Sequence, residues 1–331
     1  MKSQETKTIA ENLKTIPDGK LSVEQHQQDG IPLSKRFHAV TVGKGRIEAY
    51  SVFRGVDISF NTFLAPEIKF QHDDSISVLE IYYCHTGRIG WNMRGGTAIY
   101  LGAGDISVHS MACCADSAMM FPLGHSEGLS ISIDLEQLPY ICPEILQEAG
   151  IQADNLYGRF CAERPSAILA CSELAHIFAP LFSADHSLRL PLLKLKVLEL
   201  LIYLNGFEPN QKGVSQHVSQ QTELIKEIHR YLVEHLNHRF TIEELSKRYL
   251  INTSALKEVF KAVYGLPIAA YMKEYRVHQA MKLLRETDAS VGEVAAQVGY
   301  ESQGKFTKAF KDVAEVLPTQ YRKEYQNINQ L

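Results

Sequence analysis

The sequence predicts a multidomain protein with an N-terminal β-barrel, a helical connector and an all-α C-terminal domain. Three observations support this prediction. The chain has 331 residues, more than one hydrophobic core usually organises. Short β-rich segments between glycine-containing turns give way after Leu135 to apolar residues that recur every three to four positions, as in a helix. The last third of the chain repeats itself at an offset of about fifty residues, which indicates two copies of one unit.

The composition is that of a globular protein. Apolar residues make up 45% of the chain and charged residues 22%, values typical of soluble folds. The longest apolar stretch, residues 195–204, contains Lys196 and Glu199 and is far shorter than the ~20 residues of a membrane-spanning helix. The N-terminus lacks the apolar core of a signal peptide. We therefore expect a cytoplasmic protein with no membrane partner.

The cysteines do not suggest a metal site. None of the six forms a Cys-x-x-Cys pair, and cysteines of cytoplasmic proteins are usually reduced. They are Cys84, Cys113, Cys114, Cys142, Cys161 and Cys171. We predict no cofactor.

The barrel is predicted from residues 37–134. Short runs of β-branched and aromatic residues, such as residues 76–83, alternate here with turns such as Gly-Ala-Gly-Asp at 102–105. Evenly spaced strands with such turns are typical of barrels and sandwiches. Residues 1–35 are polar without strong periodicity and are predicted to form a loose tail or an initial strand.

Helical periodicity marks the connector, in residues 166–182 and 192–204. The second stretch is apolar on more than one face, so it either packs against both its own barrel and a second subunit or is an ordinary buried helix. A polar segment with glycine and proline follows and reads as a linker. The predicted boundaries are 1–160 for the barrel domain, 161–205 for the connector and dimerisation segment, 206–221 for the linker and 222–331 for the C-terminal domain.

Each copy of the C-terminal repeat is predicted to be a helix, a short turn and a second helix. The helices are 241–249 and 253–263 in the first copy, and 290–297 and 303–313 in the second. Thr241 with Glu244, and Ser290 with Glu293, have the spacing of a capping box, and Gly299 lies at the turn. This arrangement is the helix-turn-helix unit, which places its second helix in the major groove of DNA.

Charge is divided unevenly along the chain. The formal net charge is −4. Residues 222–331 contain sixteen Lys or Arg and fourteen Asp or Glu, a net charge of +2, which leaves −6 for the rest. Phosphate binding by the C-terminal domain must therefore come from the placement of charges and not from bulk charge.

The repeat carries the motif of a known family. The second copy has Val291, Val294, Ala295, Gly299, Tyr300, Phe306, Phe310, Lys311, Pro318, Tyr321 and Arg322, and the first has Leu256, Phe260, Lys261, Gly265, Tyr271, Arg276, Ala280, Leu283 and Leu284. In these positions residues 222–325 resemble the DNA-binding domain of the AraC/XylS family of transcription regulators. Ser246, Glu315 and Leu317 depart from the family pattern, which has Ala, Gly and Ser or Thr there. The turn before Pro318 is therefore where a difference is expected.

The resemblance implies which residues face DNA. Leu256, Phe260, Phe306 and Phe310 would be core residues, and exposed positions beside them would contact the double helix. These positions are Asn252, Ser254, Lys257, Glu258 and Lys261 in the first copy, and Gln303, Gly304, Lys305 and Lys308 in the second. Asn and Gln can pair with adenine, Lys with guanine or phosphate, and Glu with cytosine. The alternative for each is a solvated helix face.

Three further expectations concern this domain. Gly304 should weaken its helix by roughly 1 kcal/mol relative to alanine. Arg276 and Arg322 are expected to be structural, pairing with carboxylates or helix ends. A rigid helix at 270–284 would let the two copies enter successive major grooves ~34 Å apart, so that each monomer covers an asymmetric site.

The N-terminal half resembles the cupin-like sensory domains of the same family, through its strand order and the turn at 102–105. This resemblance implies a small-molecule effector. Trp91 and Met93 on one strand, and Tyr83 on another, are the candidate effector contacts. They lie on strand faces that could line a cavity or fill the core. The implied partners are promoter or operator DNA, the effector, RNA polymerase and a second copy of the chain.

An enzyme is the competing interpretation, since many cupins are metal-dependent oxygenases. Such sites need two closely spaced histidines, a carboxylate and a distant histidine. His72, His85, His109 and His125 are dispersed, with no His-x-His pair, so we predict no catalytic residues and no metal. A third interpretation is an N-terminal half that only dimerises.

Overall fold

The computed structural model describes residues 2–26, 39–70, 78–110, 113–138, 144–160, 166–207 and 217–328. They fall into two compact units, Met1–Ser219 and Gln220–Leu331. Most of the predicted linker, and His72 among the histidines, lie outside the described residues. Helices and strands are numbered in chain order within the described ranges.

The first unit is rich in β-structure. Its strands are β1 (Lys20–His26), β2 (Ala39–Thr41), β3 (Lys44–Phe53), β4 (Val56–Leu64), β5 (Glu67–Phe70), β6 (Val78–Gly87), β7 (Ile89–Met93), β8 (Thr97–Leu101), β9 (Ile106–Ser110), β10 (Cys114–Met120), β11 (His125–Asp134), β12 (Ser166–Ile168) and β13 (His217–Val218).

These strands form two sheets and not one closed barrel. A seven-stranded sheet has the order β1-β3-β4-β11-β6-β9-β12, and a six-stranded sheet has the order β13-β8-β7-β10-β5-β2. Closure requires the last strand to pair with the first. Among the described residues, the second sheet ends in strands of only two and three residues, β13 and β2. The predicted sheet-rich half is therefore confirmed, but the closed barrel is not found in the described part of the chain.

Buried side chains fill the space between the two sheets. Ile47 and Phe63 from the seven-stranded sheet pack with Ile68, Trp91 and Ile99 from the six-stranded sheet. Successive residues of a strand point to opposite faces, so the intervening residues of β3 and β4 lie on the outer face of the seven-stranded sheet.

Helices cover part of that outer face. They are α1 (Lys2–Asn12), α2 (Glu144–Glu148), α3 (Ala153–Phe160), α4 (Ser172–Ser183) and α5 (His186–Gly206). A second core forms where Ile58 and Ile131 of the sheet meet Phe178 of α4 and Leu193 of α5.

The predicted initial strand is present as β1, but the helix α1 that precedes it was not predicted. Ile9, Leu13 and Ile16 are buried and pack against Leu64 at the end of β4. Three apolar residues in a polar segment are too few to show a helical period in the sequence. Their burial depends on a strand far away along the chain.

The predicted turn at 102–105 is present and fastens two parts of the first unit together. The Asp105 carboxylate accepts hydrogen bonds from the backbone N–H of Gly102 at 2.7 Å and of Ala170 at 2.9 Å. Gly104 has a φ of +88°, and a Cβ there would lie 2.7 Å from the Cβ of Ala170. Both the backbone conformation and the close approach therefore require glycine.

The second unit is all helical. Its helices are α6 (Ser219–Glu234), α7 (Ile242–Tyr249), α8 (Thr253–Tyr264), α9 (Ile268–Glu286), α10 (Val291–Gln297), α11 (Gln303–Ala314) and α12 (Pro318–Ile328). Helix α9 joins the two copies of the repeat. Its first half carries Tyr271, whose ring contacts Phe260 of α8, and its second half carries Val277 and Leu284, which belong to the core of α10, α11 and α12.

Candidate nucleic-acid interface

Both copies of the repeat form the predicted helix, turn and helix. Thr241 Oγ1 accepts from the N–H of Glu244 at 3.1 Å, and the Glu244 carboxylate accepts from the N–H of Thr241 at 2.7 Å. Ser290 and Glu293 make the same two bonds at 3.2 and 2.6 Å. Hydrogen bonds from these backbone groups lower the pKa of both glutamates. The two predicted capping boxes are confirmed.

Helices α8 and α11 are held by equivalent residues and are called the recognition helices below. The ring of Phe260 lies 5.6 Å from that of Tyr271, and the ring of Phe310 lies 5.7 Å from that of Tyr321, edge to face in both cases. Phe306 of α11 is fully buried as well. The predicted core positions are confirmed, and they fix which side of each recognition helix is free.

The free side carries the predicted contact residues. All nine are exposed: Asn252, Ser254, Lys257, Glu258 and Lys261 at α8, and Gln303, Gly304, Lys305 and Lys308 at α11. Lys311 is exposed on α11 too and was not among the predicted contacts.

Asn252 has a structural role that its sequence position did not reveal. It is the N-cap of α8, and its side-chain oxygen accepts from the N–H of Ser254 at 2.7 Å. The second lone pair of this oxygen and the amide NH2 group can pair with an adenine edge while the cap stays closed.

Lys305 has a weak partner. Its ammonium lies 3.5 Å from the carboxylate of Glu301, one turn earlier, and both side chains are exposed. Exposed pairs at this spacing contribute little, so Lys305 can exchange this carboxylate for another anion at small cost.

The two arginines predicted to be structural bind backbone carbonyls in the last turn of a helix or just after it. Arg276 of α9 donates to Leu236 O at 3.2 Å and to His238 O at 2.8 Å. Arg322 of α12 donates to the carbonyl oxygens of Leu284 and Ala289. Each arginine therefore anchors one helix to the segment where an earlier one ends.

Arg239 also holds the domain together and was missed from the sequence. Its Nε donates to Gly299 O at 3.2 Å, and its guanidinium lies 5.0 Å from the ring centre of Tyr300. These contacts join the segment after α6 to the turn of the second copy. No local sequence pattern indicates this role, because Arg239 and Gly299 are sixty residues apart and meet only in the folded domain.

A half-buried histidine of α6 packs behind the first recognition helix. His229 Nε2 lies 2.9 Å from the Tyr271 hydroxyl, and its ring stacks on Tyr264 at 4.4 Å. Burial lowers the pKa of His229 to about 4. The imidazole is therefore neutral near neutral pH and belongs to the aromatic core behind α8.

The candidate effector contacts lie in two different cores. Trp91 and Met93 are buried between the sheets, where the Trp91 ring lies 5.3 Å from Tyr82. Tyr83 faces the helices and stacks on Phe178 at 4.2 Å. The structure therefore does not bring Trp91, Met93 and Tyr83 into one pocket.

Within the described ranges, no three His, Cys, Asp or Glu side chains are grouped so that they could hold a metal ion. Of the helices that the structure describes, none combines the length and the apolar character needed to cross a bilayer.

Comparisons with known proteins find relatives of part of the chain. A helix-turn-helix domain family matches residues 245–324. The transcriptional regulator MtrA of Neisseria gonorrhoeae is 40% identical over 74 residues, which are 22% of this chain and 25% of MtrA. YisR of Bacillus subtilis, an uncharacterised regulator of the helix-turn-helix type, is 32% identical over 143 residues, which are 43% of this chain and 47% of YisR.

The chain therefore spans only part of these relatives, from 10% to 50% of their length among those compared. Among solved structures, the DNA-binding domain of AdpA in complex with a target DNA is 28% identical, with 31% of this chain and 93% of that chain covered. Its TM-score is 0.30, which is too low to support an inference.

The duplicated motif and the domain match define the class of protein. The second unit is a DNA-binding domain of the helix-turn-helix type. This domain is of the AraC/XylS type.

Proposed function

We propose that the chain is a transcription regulator that reads an operator with both recognition helices of each C-terminal domain. The observation that supports this is the joining of two equivalent helix-turn-helix units by one continuous helix. Helix α9 has 19 residues, so it is about 28 Å long. This length is close to the ~34 Å between successive major grooves, so each monomer would cover an asymmetric site of roughly two helical turns.

The nine exposed residues of the recognition helices are the proposed DNA contacts. Lys257, Lys305 and Lys308 would bind guanine edges or phosphates, and Gln303 an adenine edge. Lys261 and Glu258 lie further along α8, and Ser254 and Gly304 lie in the first turns of the two helices. Net charge supports this assignment only weakly, so the contacts depend on where these side chains are placed.

The test is retention of genomic DNA fragments, including the region upstream of the protein's own gene, by the full chain over a series of salt concentrations. Selective retention of a few fragments at physiological salt is expected. Lys257→Ala and Lys308→Ala should each weaken operator binding and lower the salt slope by about one. Lys282→Ala, which removes an exposed lysine of α9, is the matched control. Uniform, weak and steeply salt-dependent retention of all fragments would contradict a sequence-specific regulator.

We also propose that the first unit is a cupin-like sensory domain that binds a small-molecule effector. An effector acts on DNA binding only if its affinity differs between two arrangements of the protein. Contact of the DNA-bound chain with RNA polymerase is part of the same proposal. We propose no catalytic role, because the relatives that share the second unit are named as transcriptional regulators.

A homodimer through α5 completes the proposal. Leu188, Leu195 and Ile202 are exposed by 61%, 64% and 40%, and they follow one another at intervals of seven residues along α5. This is the spacing of a helix–helix seam. The pattern is symmetric about Leu195, so a two-fold antiparallel pairing would place Leu188 of one copy against Ile202 of the other.

Sedimentation of the full chain tests the dimer. Leu195→Lys would place like charges opposite each other at the centre of the pairing, and we expect it to yield monomers. Leu169→Lys is the matched control, since Leu169 is 54% exposed in the same unit but lies outside α5. Equal association of both variants would contradict an interface on α5.

A further inference from the structure

A pocket of about 160 Å³ lies on the outer face of the seven-stranded sheet. Its floor consists of Arg46 on β3, Thr62 on β4 and Glu127 on β11. Its walls include Phe182 at the end of α4 and Arg189 at the start of α5. The pocket is therefore separate from the filled core between the sheets, where Trp91 and Met93 lie.

The floor places a cation and an anion in one row across three strands. Arg46 is paired in register with Thr62, and Thr62 with Glu127. Paired residues project on the same face of a sheet. Because neighbouring strands are about 4.8 Å apart, the backbone positions of Arg46 and Glu127 are roughly 10 Å apart, with the Thr62 hydroxyl between them.

These two charges lack strong partners among the described residues. No cation of that part of the chain lies within 4.0 Å of the Glu127 carboxylate, and burial raises the pKa of Glu127. Arg46 Nε is buried without a hydrogen bond, and its nearest carboxylate, Glu24, is 3.9 Å away and half exposed. Both side chains are partly buried, and a partly desolvated charge is stabilised by an added partner of opposite charge, so a ligand that pairs both groups would gain from this arrangement.

Arg189 is different, because it is already neutralised. Its guanidinium donates to the Glu48 carboxylate at 3.1 Å and to the Tyr50 hydroxyl at 3.3 Å. It also lies 5.3 Å from the ring centre of Phe60. Arg189 therefore fastens α5 to the sheet and leaves Arg46 and Glu127 as the charges that face a ligand.

An apolar wall adjoins the charged row. The rings of Phe60 and Phe182 meet edge to face at 5.5 Å, and Leu13 and Leu181 line the same pocket. A ligand that fits needs two opposite charges close together and an apolar group beside them.

We propose that this pocket binds an α-amino acid with an apolar side chain, its carboxylate at Arg46 and its ammonium at Glu127. The ammonium nitrogen and the far carboxylate oxygen of an amino acid are roughly 3.5 Å apart. With a charge-assisted hydrogen bond of about 2.8 Å at each end, the ligand bridges about 9 Å between the two side-chain ends, a span that these flexible side chains can set from backbone positions roughly 10 Å apart. This inference rests on the proposed sensory role of the first unit and names its ligand class and site.

The test is calorimetric titration of the full chain with the standard L-amino acids, one at a time. We expect an apolar amino acid to bind. Its N-acetyl derivative, which lacks the ammonium, and its methyl ester, which lacks the carboxylate, should each bind at least about tenfold more weakly, as expected when one charged partner is lost.

Two substitutions assign the charges to residues. Glu127→Gln should weaken binding of the amino acid at least about tenfold and leave the affinity for the N-acetyl derivative unchanged, because that derivative has no ammonium to lose. Arg46→Gln should do the same for the amino acid and leave the methyl ester unchanged. Glu136→Gln and Arg54→Gln, which alter exposed residues elsewhere in the first unit, are the matched controls and should bind as the unaltered chain does.

The same samples are assayed for operator binding, which separates the two proposals. If the chain retains its operator but binds none of the amino acids, the pocket assignment is wrong and the regulator proposal stands. If an amino acid binds and neither Glu127→Gln nor Arg46→Gln weakens it, the site is wrong. If no DNA fragment is selected, the regulator proposal fails whatever the titrations show.

Discussion

The two copies of the helix-turn-helix unit share two left-handed backbone positions but place glycine at opposite ones. At the turn between the two helices, the first copy has Leu250 with a φ of 51° and the second has Gly299 with a φ of 82°. At the end of the recognition helix the order is reversed, with Gly265 at 81° and Glu315 at 63°. Each copy therefore has one left-handed residue with a side chain, which costs roughly 1–2 kcal/mol relative to glycine.

The hydrogen bonds at the ends of the two recognition helices show that the left-handed conformation forms with either glycine or glutamate. Gly265 donates its N–H to Lys261 O at 2.7 Å, and Glu315 donates to Lys311 O at 2.9 Å. The turn before Pro318 therefore has the same left-handed form as the turn at Gly265 in the first copy, although its residue is Glu315. Helix capping by the backbone is strong enough to impose the conformation on a residue that does not favour it.

The surroundings of the two turns between helices explain why only the turn of the second copy requires glycine. A Cβ on Gly299 would lie 2.1 Å from the carbonyl oxygen of Leu236, whereas Leu250 is 94% exposed. The turn of the second copy is packed against the segment after α6, and the turn of the first copy faces solvent.

The largest expected effect breaks the packed turn. Gly299→Ala should lower the free energy of unfolding by at least about 3 kcal/mol, since it adds a left-handed side chain and a contact with backbone that cannot yield. Urea unfolding followed by circular dichroism measures this change. Leu250→Ala, at the equivalent exposed position, is the control and should change stability by less than about 0.5 kcal/mol. Equal losses in the two variants would mean that the two turns have the same surroundings.

A second prediction concerns pH: part of the loss of folding stability in acid should come from His229, which packs behind the first recognition helix. The pKa of His229 is lowered to about 4 in the folded chain, below its ordinary value of about 6.5. The unfolded chain therefore binds the proton more readily. The stability that His229 contributes is full above about pH 6.5 and is lost as the pH falls towards 4, by as much as about 3 kcal/mol.

Unfolding measured between pH 7 and 4 tests this assignment. His229→Phe keeps an aromatic ring but cannot be protonated, and it should reduce the loss of stability over this range. His235→Gln, which removes an exposed histidine at the end of the same segment, should leave the pH dependence unchanged. An unaltered pH profile in His229→Phe would place the acid sensitivity elsewhere.

The second unit could be predicted from sequence because its signals are local. Thr241 and Glu244 are three residues apart, and the apolar positions of each helix recur within a few turns. The sites that escaped prediction depend on distant segments. Asn252 was expected to be a base contact, but it also caps α8. Whether a residue caps a helix depends on its backbone conformation, which the sequence does not show. Arg239 acts on a turn sixty residues later.

The first unit was predicted less completely for the same reason. Strand content follows from local composition. Whether a sheet closes depends on the order of its strands, and that order depends on long-range pairings such as β1 with β3 and β11 with β4. The pocket on the outer face joins Arg46, Glu127 and Arg189, which no spacing in the sequence relates. Trp91, Met93 and Tyr83 were predicted from alternation within strands. Alternation shows which residues share one face of a strand, but not whether that face packs against the other sheet or against the helices.

The third prediction relieves the strain that each copy retains. Leu250→Gly and Glu315→Gly should each raise the free energy of unfolding by about 1 kcal/mol, because the left-handed cost exceeds the extra backbone entropy that glycine loses on folding. Denaturant midpoints measure both changes. Leu250→Ala keeps the strained conformation and should not reproduce the gain. A loss of stability in Leu250→Gly would mean that its exposed side chain contributes more than its conformation costs.

The smallest expected change in stability comes from substitutions in the first turns of the two recognition helices. Gly304 in α11 stands where α8 has Ser254, and a Cβ on Gly304 would meet no atom within 4 Å. Gly304→Ala should therefore stabilise α11 by about 0.5 kcal/mol, less than the roughly 1 kcal/mol of a helix interior, because Gly304 lies in the first turn. Ser254→Ala should gain less, because serine is closer to alanine in propensity. If Gly304→Ala stabilises the chain but weakens operator binding without changing its salt slope, the added methyl group occupies space that DNA needs. That result would make glycine at 304 a requirement of close approach to a base, and unchanged binding would leave Gly304 on a solvated face.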